Sequence, residues 1–464
     1  MYFLSASNNP IYLITESLKP LSSFAIMKYF TPNFLLLVIS VILFQGCAGN
    51  KNLPASPQPF INGDTLPDAP ELAHRGEYKV GVRTLDFVNK GQINVLKSKE
   101  GIDPLYDRPL KVEVWYPAIL PAGKIELTTY TDHFGTVSDS TRPVVPFNFP
   151  GRALRDATPD KRAAAFPLVI VSHGYTGSRV LLSYLNENLA SKGYVVVAID
   201  HTESTHGDQQ GFASTLLNRS KDILFILNQM AAAGQSASNS FLSGLVDANN
   251  TALIGYSMGG YGVMNVAGAG YSDKLAGFFS SMTAGSKAIA VRTTSNAEYT
   301  ASMDQRIKAV VAFAPWGMAR GVWDTEGLKG VKLPVFFVAG NLDDISGYED
   351  GIKAMYKGTV NADRYLLTYL NARHNIAPNA PPAATIPPGA FARDYEHYSE
   401  PSWNEKRINN INQHFVTAFL GIHLQHKDYG KYLQVQEKSN DKPWTGFKPR
   451  SSTGMELLHE VQGK

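Results

Sequence analysis

One cysteine, Cys47, stands in 464 residues. No disulfide can form within the chain, and neither a CxxC redox pair nor a cysteine zinc cluster can be built. Charge of one sign is equally scarce. The 43 Lys and Arg against 40 Asp and Glu leave a net +3, which implies no nucleic-acid partner. The apolar run at residues 34–44, FLLLVISVILF, falls short of the roughly 20 residues that a membrane-spanning helix needs. There is no internal repeat. What remains is a globular composition, 44% hydrophobic and 18% charged. A chain of this length allows two or three domains, or one large α/β domain with insertions.

The place of Cys47 says more than its number. The 34–44 run has the length of a signal-peptide core; Met27 and Lys28 precede it, and Gln45, Gly46 and Cys47 follow. This resembles the lipobox of bacterial lipoproteins, although Phe44 stands where Leu is usual. The resemblance implies export to the bacterial cell envelope and a lipid anchor on Cys47. A cleaved signal without lipid is the alternative. Residues 1–46 read as a leader, with Met27 a better start than Met1. Residues 47–77 carry Pro54, Pro57, Pro59, Pro67 and Pro70 and read as a tether.

From residue 78 the pattern is that of a folded domain. Tyr78–Val88 and Leu110–Ala118 alternate and predict a pair of strands. Residues 119–165 look irregular. Then come six mostly apolar runs: Phe166–Gly174, Gly193–Asp200, ALIGYS at 252–257, Lys308–Pro315, Leu333–Gly340 and Arg364–Leu370. Continuous apolar runs are what strands buried on both faces look like. Helical segments at Arg179–Lys192, Leu216–Met230 and Glu405–Leu424 argue for a parallel sheet with helices on both faces. Long segments at 268–303 and 376–400 should border a pocket. Residues 427–464 are polar and read as a loose tail.

The run at 252–257 passes straight into MGGYGVMN. A strand turning at once into a helix forces its apex residue into a strained conformation, and side chains two positions either side would collide across the bend. Gly255 and Gly259 remove them, leaving Ser257 lifted above the sheet beside the unpaired first amides of the helix. This is the G-x-S-x-G nucleophile elbow.

A serine hydroxyl needs a base, and the order in such folds is Ser, acid, His. Asp343, three residues beyond Gly340, is the candidate acid, with Asp344 as the alternative. His374 follows the last strand and is the first histidine after the acid; an unperturbed imidazole titrates near pH 6.5. His397, His414, His423 and His426 read as surface residues. The oxyanion donors should be the amides of Met258 and of Tyr175, in the loop SHGYTGSR. His201 and His206 in IDHTESTHGD match no zinc spacing. They read as a structural loop near the site, and His173 as a buried, hydrogen-bonded residue. No metal or cofactor is expected.

Together VGVRTLDF, RPLKVEVWYP, SHGYTGSR, GYSMGG, AGNLDDISGYEDG and LLTYLNARHN resemble an α/β-hydrolase of the predicted dienelactone hydrolase group, close to platelet-activating-factor-acetylhydrolase-like serine esterases. HGYTG and GYSMGG also resemble the oxyanion loop and elbow of bacterial lipases and polyester hydrolases. The resemblance runs from about Tyr78 to Leu424. It implies the α/β-hydrolase fold over 78–426 and a serine carboxylic-ester hydrolase with Ser257, Asp343 and His374 as triad. A small-molecule or lipid ester is the implied substrate. Dienelactone hydrolases use a cysteine nucleophile where this chain has serine, so dienelactone itself is not implied. The same triad would serve an acyltransferase, and a surface binding protein of the same fold is a third reading. Nothing in the pattern selects an ester or an oligomeric state.

Overall fold

Two alternating segments, Lys79–Ile93 (β1) and Leu105–Ile119 (β2), pair antiparallel with Leu85 opposite Val112 and Val82 opposite Trp115. They open the fold in a computed structural model that describes residues 60–463 apart from 163–164, 302, 436–438 and 440–441. The leader and residues 47–59 of the tether, Cys47 among them, lie outside the described residues. A separate hairpin follows, Thr128–Phe134 (β3) with Val145–Gly151 (β4). Leu154–Arg155 (β5) and Thr158–Pro159 (β6) are short edge pieces against β1 and β2.

The apolar runs form the centre. Phe166–Ser172 (β7), Val195–Asp200 (β8), Val246–Tyr256 (β9), Ile307–Phe313 (β10), Val335–Gly340 (β11) and Arg364–Tyr369 (β12) are mutually parallel. The spatial order is β12-β11-β10-β9-β7-β8-β2-β1. Consecutive residues of these strands are buried, so both faces of the sheet are covered. Helices Ser183–Ser191 (α1), Phe212–Gly234 (α2) and Met258–Val266 (α3) come between the strands, and Glu405–Gln425 (the last long helix) closes the domain. α2 packs on β7, β9 and α3, whereas the last helix packs on β9, β10 and α1. Each fully buried Val, Leu or Ile contributes on the order of 1.5–3 kcal/mol. The sheet is therefore a rigid base for the loops at its C-terminal edge.

Four expectations need correction. The tail is not loose: Met455–Glu460 (β13) pairs antiparallel with β12, and Trp444 and Phe447 are buried. Its alternating Met455 and Leu457 fill the core side of an edge strand. The tether reading fails from Phe60 onward. Leu66 N donates to Asn410 Oδ1, Glu71 N to Gly446 O and Leu72 N to His414 Nδ1, which straps this segment over the last helix. His414, expected at the surface, is buried there. The irregular 119–165 region contains the β3–β4 hairpin, held by Phe134 stacked on Phe147 at 3.9 Å. Its prolines are tolerated because a two-stranded ribbon has open edges.

Candidate active site

The elbow forms as the glycine spacing requires. Ser257 follows β9 and is the N-cap of α3 with φ 54° and ψ −113°, a positive-φ conformation costly for a side chain. A Cβ on Gly255 would lie 2.2 Å from Gly259 O, and one on Gly259 would lie 1.9 Å from Ser172 O. Only glycine fits either position. The bend is pinned by Ser257 N donating to Phe313 O and by Trp316 N donating to Ser257 O, at 2.9 and 3.1 Å.

Asp343 and His374 arrive from neighbouring strand ends. His374 lies beyond β12 and Asp343 beyond β11. His374 Nε2 is 3.0 Å from Ser257 Oγ, and His374 Nδ1 is 2.8 Å from Asp343 Oδ2. Asp343 Oδ1 accepts the amides of Ile345 and Ser346 at 2.9 and 2.8 Å, which fixes the carboxylate plane. Ser257, Asp343 and His374 are 7%, 5% and 8% exposed. Asp344 turns away and pairs with Arg373 at the surface, and that guanidinium holds its carboxyl below the usual range. Of the two aspartates, Asp343 is the one joined to the imidazole.

Tyr175 lies in the loop after β7. A Cβ on Gly174 would sit 3.1 Å from the Tyr256 ring and 3.5 Å from Ser257 Cβ, so this loop runs against the nucleophile. Met258 is the first residue of α3, whose first amides have no partner within the helix. The loop is held from below. Arg219 of α2, fully buried, donates to the carbonyl oxygens of His173 and Gly174 and to Ser204 Oγ. Burial lowers the pKa of this guanidinium to about 9. Sequence reading did not find Arg219, because the two loop carbonyls it holds lie 45 and 46 residues away with no local pattern to mark them.

Beneath the loop lies a second serine–histidine–aspartate chain. Ser172 Oγ is 2.8 Å from His201 Nε2, and His201 Nδ1 is 2.9 Å from Asp222 Oδ2. Arg108 grips Asp222 through Nε and Nη2 at 2.9 and 3.0 Å. Burial lowers the His201 pKa to about 4; burial opposes ionisation of Asp222, but Arg108 and His201 hold it at about 2. These side chains are buried and line no part of the cleft, so no substrate meets them. They brace the end of β7, which carries the loop that runs against Ser257. His173 is buried as expected, with Nδ1 2.6 Å from Gly174 O.

Ser257 and His374 open on a cleft of about 570 Å³. Its walls come from the 376–400 segment, as expected, and from the β3–β4 hairpin loop, which was not expected. His206 and His397 line it as well. Burial drives His397 down to about 3, and its ring packs edge-on against His206, not against Ser257. No described residue of 268–303 lines the cleft. That segment begins beyond the far end of α3, and nine residues at about 1.5 Å each carry it roughly 13 Å from the elbow. Among the described residues no group of three His, Cys, Asp or Glu could hold a metal, and no helix is long and apolar enough to cross a membrane.

Comparison with known proteins places this geometry in context. A family described as PETase, PET hydrolase-like, matches residues 139–277. Cutinase 2 of Thermobifida cellulosilytica is 24% identical over 213 residues, 46% of this chain and 62% of that protein. Cutinase est2 of Thermobifida alba is 32% identical over 211 residues, 46% of this chain and 53% of that protein. The chain thus matches little more than half the length of these relatives. A solved ferulic acid esterase from Streptomyces cinnamoneus superposes with a TM-score of 0.53 at 18% identity, covering 84% of this chain and 99% of that one. The fold is the α/β-hydrolase fold.

Proposed function

We propose that this chain is a serine carboxylic-ester hydrolase. The observation that carries the reading is the hydrogen-bonded line from Ser257 Oγ through His374 to Asp343, opening on a cleft. Ser257 Oγ attacks the ester carbonyl carbon while His374 Nε2 takes its proton. Asp343 keeps Nδ1–H oriented and stabilises the imidazolium. The Tyr175 and Met258 amides receive the oxyanion, each such donor being worth on the order of 10²–10³ in rate. Collapse of the tetrahedral adduct breaks the bond to the leaving oxygen, which takes the proton from Nε2 and departs as the alcohol. Water then attacks the acyl-enzyme, gives its proton to Nε2, and the acid is released as Oγ is reprotonated.

The cutinase and PETase likenesses support ester chemistry of this kind and favour the polyester-hydrolase side of the resemblance. Export and a lipid anchor at Cys47 belong to the same proposal, on the support of residues 27–47. Loss of fatty-acid label in Cys47→Ala is the expected result; label retained would remove the anchor from the account.

Ser257→Ala should cut hydrolysis of p-nitrophenyl acetate by at least about a thousandfold while thermal unfolding still shows a cooperative fold. A fluorophosphonate should label the wild type and not the variant. Turnover surviving in Ser257→Ala would end this reading.

A further inference from the structure

A second cavity of about 340 Å³ adjoins the catalytic cleft. Phe134, Gly135, Arg142 and Asp394 line both spaces, so the two share a wall. Beyond that wall one side is the β3–β4 hairpin, with Val145, Pro146 and Phe147. The other is the 384–391 stretch, with Ala384, Ala390 and Phe391. Val145 and Phe391 are 49% and 54% exposed, although large apolar side chains gain by leaving water.

The polar groups around this chamber are largely spent on the protein. Thr385 Oγ1 donates to Pro382 O. Arg142 Nη2 and Asp394 Oδ1 pair with each other, and Gly135 N reaches the same carboxylate oxygen. The buried Arg142 Nε has no protein acceptor. Gly135 is the hinge of this wall. With φ +74° it turns the loop so tightly that a Cβ would lie 2.2 Å from Pro143 O. The chamber is thus a built space with apolar walls and an unpaired donor at its joint with the cleft.

We propose that this chamber is a subsite for the apolar arm of an extended ester whose carbonyl lies at Ser257. The proposal rests on the ester-hydrolase reading above. Continuity with the cleft argues for an arm of the substrate over a separate ligand, and the chamber's unpartnered apolar walls argue for hydrocarbon or aryl character. The arm can belong to the acyl or to the alcohol side, and two substrate series tell them apart.

The first series is p-nitrophenyl esters from acetate to dodecanoate; the second is acetates of alcohols of rising length. In one series the wild type should gain kcat/KM with length, by up to about fourfold per buried methylene. Ala384→Trp and Ala390→Trp fill the chamber and should flatten that gain. The quantity read is the ratio of long to short ester on the same variant, so a general loss of fold or rate cancels. A flat profile in both wild-type series, or Trp variants that keep the wild-type ratio, overturns the subsite while leaving Ser257 chemistry intact. Wild type that turns over neither short ester and takes no fluorophosphonate overturns the hydrolase reading, and the subsite with it.

Discussion

Two adjacent aspartates, Asp343 and Asp344, show how a single position in the chain decides a role. Asp343 lies under the loop, its Oδ1 taken by two amides and its Oδ2 by the imidazole. Asp344 points to solvent and meets Arg373. Exposed pairs of this kind contribute little, about 0–1 kcal/mol. Asp343→Asn should therefore lower kcat by roughly 10³–10⁴, since the amide favours the wrong tautomer of His374. Asp344→Asn should change it less than tenfold. Steady-state kinetics on one short ester decides this, and equal losses in the two variants would reverse the assignment. Spacing from Gly340 pointed to Asp343 but left its neighbour open, because both carboxylates are within reach of a loop end until the backbone direction is known. That Ser257 and His374 would meet was legible because each lies at or a few residues beyond the C-terminal end of an apolar strand. The Arg219 clamp and the Ser172–His201–Asp222 brace were not, being contacts made across the packed domain.

At the scale of elements the central strands were readable for a physical reason. Strands buried on both faces must be continuously apolar, and six such runs stand out against 18% charged residues. The hairpin and β13 failed to stand out because each is half-exposed and lies in polar or proline-bearing sequence. Their signal was alternation alone: Tyr130 and Phe134 opposite Phe149 and Val145, and Met455 with Leu457. β13 covers the edge of β12 and brings the Arg364–Glu460 pair and the His459 ring stacked on Tyr365 at 4.0 Å. Removing residues 454–464 should strip that edge and uncover β12 to other chains. The expected outcome is a lower urea midpoint and concentration-dependent association on a sizing column. A truncated chain as stable and as monodisperse as the parent would show that β13 is dispensable.

At the scale of the whole molecule, one buried acid links the sheet, the hairpin that walls the cleft, and α1. Trp115 Nε1 of β2 donates to Tyr130 OH at 2.7 Å, and Tyr130 OH donates to Glu187 Oε1 at 2.7 Å. Glu187 Oε2 accepts the Arg152 amide just past the hairpin at 2.9 Å. Burial raises the Glu187 pKa from its ordinary 4.5 to about 7, against the pull of Arg75 and these hydrogen bonds. A raised folded-state pKa means that the folded chain holds the proton more tightly than the unfolded one. Its contribution to stability is full below about pH 4.5 and is lost as pH rises through about 7. At 1.36 kcal/mol per pH unit the loss is on the order of 2–3 kcal/mol between pH 5 and 8. Glu187→Gln cannot ionise, so its stability relative to wild type should improve by about that amount across the same interval. Urea unfolding of both proteins at pH 5 and pH 8 measures it, and taking the difference cancels every other titrating group. A constant difference would mean that Glu187 is charged in the folded state throughout. The hairpin also reaches the loop after β7 through Asp132, which accepts Ser178 Oγ at 2.6 Å. The bonds from Tyr130 OH and the Arg152 amide are both donated to Glu187 and strengthen when it loses its proton, so the cost that the unfolding experiment reads is the burial of the carboxylate itself.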